Sequence, residues 1–365
     1  MLLVDSHQDL AWNILTFGRD YTRSAAETRR LEAGGIAPQK NGDTLLGWPE
    51  YQRGQVAVVF ATLFAAPMRR CNGDWDTQCY ADTETAHALY SRQLDAYHRL
   101  VNEHPDKFHL LETKGDMKTL LAHWGQPLLE GAEGHPVGLA VLMENAEGVQ
   151  EVGELEEWWR RGVRIIGPAW AGTRFCGGTG EPGPLTQEGV ALLEGMADLG
   201  FALDLSHMDE QAVLGALDVY PGTLAATHAN AQSLLKGFES NRFLSDRVIH
   251  GIIERNGVIG VVPFNRFLQA GWQASEGRKA VSITQVVAQI DHICQLAGNA
   301  QHAGLGSDFD GGFGWQSVPH EIDTVADLPK VAPLLSEKGY NDSDIAAILG
   351  QNWLDRLAHV LPETT

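Results

Sequence analysis

A chain of 365 residues that is 44% hydrophobic and 20% charged has the composition of a folded globular protein, at a length that α/β barrels reach as one domain. Its formal net charge of −20 argues against nucleic acid or anionic lipid as a partner. No apolar run reaches the roughly 18 residues that a bilayer span needs, and no basic stretch leads into an apolar core with a cleavage site, so a cytoplasmic location is expected.

The first predicted element is an apolar strand at 2–6 (LLVDS), which delivers His7 and Asp9 in DSHQD. Residues two apart on extended backbone point the same way, so imidazole and carboxylate converge, although the same pair would also serve merely to cap a strand. Residues 18–54 lack periodicity and carry GG, PQ, NG and WP signals, which predicts a long loop. A second strand follows at 56–64 (VAVVFATLF). Cys71 and Cys79 then share the polar loop CNGDWDTQC; they could bridge under oxidising conditions, but free thiols are the expectation for a cytosolic chain. Neither they nor Cys176 and Cys294 form a CxxC pair, which argues against structural zinc.

An amphipathic helix is predicted over 82–103, opened by Asp82 with Thr85 nearby, and a third strand over 137–143 (VGLAVLM). A helix at 151–161, a strand at 163–169 and a helix at 187–199 behind Thr186 and Glu188 come next. Strands follow at 201–206, 223–227 and 257–263, then a helix at 281–297 and a last strand at 303–308. The runs at 137–143 and 257–263 are almost unbroken apolar stretches, as parallel strands buried on both faces require. The closing stretch DSDIAAILGQNWLDRLAHVL predicts a helix packed on the exterior. Eight strands alternating with helices predict a (β/α)8 barrel, with a doubly wound open sheet as the alternative, and one domain over 1–365.

The polar residues fall at strand ends. His7 and Asp9 follow strand 1, Glu144 strand 3, His207 strand 5 and His228 strand 6, and Asp308 ends strand 8. In a barrel these ends share the rim where active sites sit. Three histidines and three carboxylates make an N/O donor set suited to Zn²⁺, Mn²⁺ or Fe²⁺. Six ligands exceed what one open tetrahedral ion needs and suit two divalent ions sharing a carboxylate. Asp308 is preferred to Asp310, and Glu144 to Glu147, because each lies nearer its strand. His87, His98, His104 and His123 are expected on the surface or in structural roles.

The segments DSHQDL, MENAEG, LGFALDLSHMD, ATHAN, NRFLSDR, GLGSDFDGG and GYNDSDIAAILGQNWLDRL run in order from residue 5 to 357. In this the chain resembles the membrane (renal) dipeptidases and their bacterial relatives, amidohydrolase-like metallopeptidases. The resemblance implies two zinc-type ions, one held by His7, Asp9 and Asp308, the other by His207 and His228, with Glu144 bridging. It also implies that Arg242 receives a substrate carboxylate, whereas on its own that residue reads as a surface arginine. Where the family usually has a histidine after strand 4, this chain has Trp170, which offers one N–H donor and no charge, or an apolar wall, or packing alone. A homodimer is common in the family.

The implied reaction is hydrolysis of a dipeptide, L,D-dipeptides included, by a metal-held hydroxide, with Glu144 and Asp308 as the catalytic carboxylates and Asp308 carrying the proton. Asp204 and Asp209 are candidates to orient the histidines by proximity in sequence. Two alternatives stand beside this reading. One is a hydrolase of another small amide, a lactam or N-acyl amino acid; the other is a metal-binding accessory protein without turnover.

Overall fold

The computed structural model describes residues 1–128, 131 and 133–364. Its eight long-range parallel strands are β1 (Leu3–Gln8), β2 (Val56–Leu63), β3 (Val137–Met143), β4 (Val163–Ile166), β5 (Ala202–Asp204), β6 (Leu224–Ala226), β7 (Val258–Val261) and β8 (Ala303–Leu305). Each pairs with the next in the chain, and β8 returns to β1 through Asp5 and Leu305, so the sheet is closed. This is the (β/α)8 barrel, and the open sheet is excluded by that last pairing. All eight strands lie within the predicted segments or within two residues of them, but β4 to β8 end earlier, because the chain turns off to present its polar side chains. A short strand, Phe108–Leu110, was not foreseen. It pairs with the lower half of β3, below the stretch that pairs with β4, and its three residues are too few to show a period.

Alternation along the strands divides the core. Val4, Phe60, Leu142, Ile165, Ala225 and Val258, each from a different strand, form one buried cluster inside the barrel. Val59, Val141, Ile166 and Leu305 face outward under the helices. The closing helix departs from expectation. Trp353 and Leu357 of Asn352–Val360 belong to the interior cluster, and the Trp353 ring lies 5.4 Å from that of Phe60. The helix therefore seals the lower end of the barrel rather than covering its side; an indole is long enough to reach in where Gly304 leaves room.

The helices Thr83–Glu103, Gln187–Leu199 and Ile283–Ala297 form as predicted, with Asp82, Thr186 and Ser282 accepting from backbone N–H groups of their first turns. Residues 18–54 are not one loop: they contain the helices Ala25–Glu32, Ile36–Lys40 and Trp48–Gly54. Each has eight residues or fewer, and the first buries only Ala25 and Thr28, so no apolar stripe marks it. The free-thiol expectation also fails, since Cys71 and Cys79 are joined in a disulfide across a Cα–Cα distance of 5.9 Å. The loop reverses between them and brings the two side chains together.

Candidate metal centre

The upper rim gathers all six predicted ligands. His7 is the penultimate residue of β1 and Asp9 follows it; Glu144 comes directly after β3. His207 and Asp308 sit just beyond β5 and β8 with φ of +65° and +57°, left-handed conformations that β-carbon-bearing residues adopt at a cost. Glu144 lies at the centre. Its Oε1 is 3.2 Å from His207 Nε2, 3.5 Å from His228 Nε2 and 3.8 Å from His7 Nε2. His7 Nε2 is also 3.9 Å from Asp9 and 4.0 Å from Asp308, and the Nε2 atoms of His207 and His228 are 2.8 Å apart. Two donor groups result, Glu144–His207–His228 and His7–Asp9–Glu144, and they share Glu144.

Hydrogen bonding behind the rings decides where the lone pairs point. Asp204 Oδ1 accepts from Thr227 N and from the Ser206 hydroxyl, and its Oδ2 accepts the Thr227 hydroxyl proton at 2.7 Å. With that proton committed, Thr227 Oγ1 can only accept from the Nδ1–H groups of His228 (3.1 Å) and His7 (3.3 Å). Both rings then carry bare Nε2 atoms aimed at the carboxylates, the tautomer that a metal ligand requires. His7 Nε2 is buried and has no hydrogen-bond partner. Thr179 Oγ1 stands 2.9 Å from Nδ1 of His207 in the same manner.

Electrostatics point the same way. Burial holds all three imidazoles well below the ordinary histidine range, with the Arg242 charge adding to the effect, so they are neutral. Burial, reinforced by the charges of Asp9 and Asp308, pushes the Glu144 carboxyl far above its usual range; Asp308 is raised likewise, and Asp9 is pushed up to about 7. Three desolvated carboxylates with one guanidinium nearby lack positive charge, and divalent cations would supply it. Gly311 is required here, because a β-carbon at that position would run into the carboxylates of Asp308 and Asp9.

Arg242 is buried, not on the surface. Its Nη2 donates to the His228 carbonyl at 2.8 Å, while Nη1 is buried and has no partner. Trp170 lines the same cavity, its ring 5.2 Å from Phe64 and 6.0 Å from His207. The cavity measures about 390 Å³ and opens above Glu144 and Asp308. Asp310 and Glu147 are engaged elsewhere, Asp310 in a buried pair with Arg19 at 2.9 Å and Glu147 with Arg174. Of the two orienting candidates, Asp204 acts through Thr227, whereas Asp209 bonds Asn241 and the turn at Gln211 and does not reach a histidine. Thr227 and Thr179 were missed. The signal for Thr227 was present, a hydroxyl residue directly before a ligand histidine in ATHAN; Thr179 lies too far along the chain from His207 to be inferred.

The profile of the membrane dipeptidase family (peptidase family M19) matches residues 1–361. The chain belongs to this family. Membership makes it a metal-dependent dipeptidase in reaction class, a hydrolase of peptide bonds. An uncharacterised protein from the pqqA 5′ region of Klebsiella pneumoniae is 34% identical over 236 residues, covering 61% of this chain and 82% of that one. An uncharacterised dipeptidase of Schizosaccharomyces pombe, C3A11.10c, is 26% identical over 268 residues, and the match spans 72% of this chain and 60% of the yeast protein's length. Among solved structures, a metallo peptidase from Rhodobacter sphaeroides, liganded with a phosphinate mimic of the dipeptide L-Ala-D-Ala, shares the fold at a TM-score of 0.77. It is 22% identical, with 99% of each chain covered. Among the described residues, no helix of this membrane dipeptidase family member is long and apolar enough to cross a membrane.

Proposed function

We propose that the chain hydrolyses dipeptides, L,D-dipeptides among them, with two zinc-type ions held by these six residues. The observation that carries this reading is the convergence of the Nε2 atoms of His7, His207 and His228 on Glu144 Oε1 inside a buried carboxylate cluster. His7, Asp9 and Asp308 would hold one ion and His207 and His228 the other, with Glu144 common to both. When bound, such ions lower the pKa of a shared water and polarise the scissile carbonyl.

The remaining work falls to the protein. Arg242 offers its unpartnered Nη1 to the substrate's C-terminal carboxylate, and its fork favours bidentate capture. This anchor, at one end of a cavity of about 390 Å³, limits substrates to short ones. Asp308 faces the cavity and takes the proton of the attacking water, then returns it to the leaving amine. Trp170 replaces the family histidine with an indole N–H and a stacking surface, so it contributes less to a developing oxyanion than to side-chain selection. We read residues 1–365 as one functional domain, and a homodimer is consistent with the family. The Cys71–Cys79 bridge favours an oxidising compartment over the cytoplasm.

The test is a panel of L,L- and L,D-dipeptides, N-acyl amino acids and lactams, assayed on purified protein with metal quantified and with chelator added. Two equivalents of metal and chelator-sensitive dipeptide cleavage support the reading. Cleavage confined to lactams or N-acyl amino acids would replace it.

A further inference from the structure

Asp76 is a buried carboxylate that neither the metal centre nor the fold uses fully. It lies on the loop closed by the Cys71–Cys79 bridge and lines the cavity. It is 7% exposed. One oxygen, Oδ1, accepts weakly from Gln78 N at 3.3 Å, and the Asn72 backbone and the Trp12 indole lie close enough to favour the charged form, but these are neutral groups. Among the described residues, no cation pairs with it. Arg70, on the same cavity, is held by Glu181 at 3.1 Å, and Lys40 is exposed, its Nζ 6.0 Å from the centre of the Trp75 ring. Burial raises the Asp76 carboxyl above its ordinary range, as expected of an anion without a counter-charge.

The loop is held firmly enough to be a binding wall. Ala66 N donates to Gln78 O, Gln93 donates to the Gln78 side chain, and Trp75 stacks on Phe17 at 5.7 Å and meets Trp12 edge-on at 6.1 Å. The barrel order fixes its direction. Asp76 lies on the chain after β2 and Arg242 on the chain after β6, four strands apart in the ring of eight, and both line the cavity. Glu144 and Asp308 lie in the sectors between them. A free dipeptide is a zwitterion with its charges at opposite ends of the scissile amide.

We propose that Asp76 receives the α-ammonium of the substrate's N-terminal residue, opposite the carboxylate held by Arg242. The inference rests on the dipeptidase reading and narrows it to peptides with an unblocked amino end. N-acyl amino acids and lactams lack the charge that Asp76 is placed to accept, and acylated analogues would leave it buried and unpaired. Trp12 and Trp75 beside it add aromatic surface suited to a cation and to an apolar first side chain.

Asp76→Asn keeps an oxygen for the Gln78 turn and removes the charge. It is assayed in the metal-loaded enzyme against a dipeptide and its des-amino analogue, in which hydrogen replaces the amine. The expected result is a KM for the dipeptide raised by roughly 10- to 100-fold, the range of a hydrogen bond to a charged group, with kcat less affected. For the des-amino analogue, kcat/KM should stay within about twofold of wild type, and metal content and melting temperature should not change. Equal losses on both substrates, or no loss on either, would overturn the assignment while leaving the dipeptidase reading intact. Wild-type enzyme that cleaves the des-amino analogue as well as the dipeptide would also overturn it. Wild-type enzyme that cleaves no dipeptide would instead overturn the functional reading itself.

Discussion

At the scale of single residues, the centre depends on one hydroxyl proton. Thr227 gives its proton to Asp204 and thereby fixes the tautomers of two histidines at once. Thr227→Val keeps the volume but leaves both Nδ1–H groups without an acceptor. Metal affinity is expected to fall by about 10- to 100-fold, read by chelator competition, with Thr227→Ser restoring it. Val and Ser variants that bind metal equally well would refute the relay. Gly311→Ala tests packing against the ligands from the other side. Its methyl group would displace the Asp308 and Asp9 carboxylates, so turnover should drop by at least about tenfold while the melting temperature of the metal-free protein stays close to wild type. The meeting of all six proposed ligands at one rim was legible because each abuts the end of an apolar run. Thr179 was not legible, since its contact with His207 arises only from the turn of the intervening chain.

At the scale of elements, the segment after β1 is secured by one buried anion. Asp310 accepts from Tyr21 Oη, Thr44 Oγ1 and Leu45 N, and pairs with the buried Arg19. It thus ties residues 19–45 to the turn that carries Asp308. Asp310→Ala leaves Arg19 with Glu32 as its remaining counter-charge and strips the buried acceptor from Tyr21, Thr44 and Leu45, which should cost about 3–5 kcal/mol of unfolding free energy, measured by denaturant titration. A cost below about 1 kcal/mol would mean that Glu32 and water satisfy Arg19 and that the lock is dispensable. The barrel strands were readable because burial on both faces demands unbroken apolar runs. The short helices of 25–54 were not, because each is too short to show a helical period: the first is capped by Ser24 and buries only Ala25 and Thr28, and the last buries Trp48 and Tyr51 alone among its large apolar residues. The closing helix was legible as a helix, but its insertion below the barrel depends on Trp353 meeting residues from several distant strands.

At the scale of the whole molecule, the rim concentrates negative charge that folding alone does not neutralise, in a chain whose net charge is already −20. Asp9 and Asp5 are raised from 3.8 to about 7 and about 6. A carboxyl whose folded pKa exceeds its unfolded value holds its proton longer when folded. Its favourable contribution is therefore present at low pH and lost as the pH rises between the two values. The metal-free protein should weaken through this window, about pH 4 to about 7, and bound cations should offset the loss. The rise in melting temperature on adding metal is accordingly expected to be larger near pH 7.5 than near pH 5. An equal rise at both would mean that the carboxylates are already compensated.

Two cations gripped at one mouth by His7, Asp9, Glu144, His207, His228 and Asp308 are the claim on which the rest depends. Anomalous diffraction at the zinc edge, from crystals of the zinc-loaded protein, tests it most directly. Two peaks on either side of the Glu144 carboxylate are the predicted result. A single peak, or peaks away from Glu144, would contradict it.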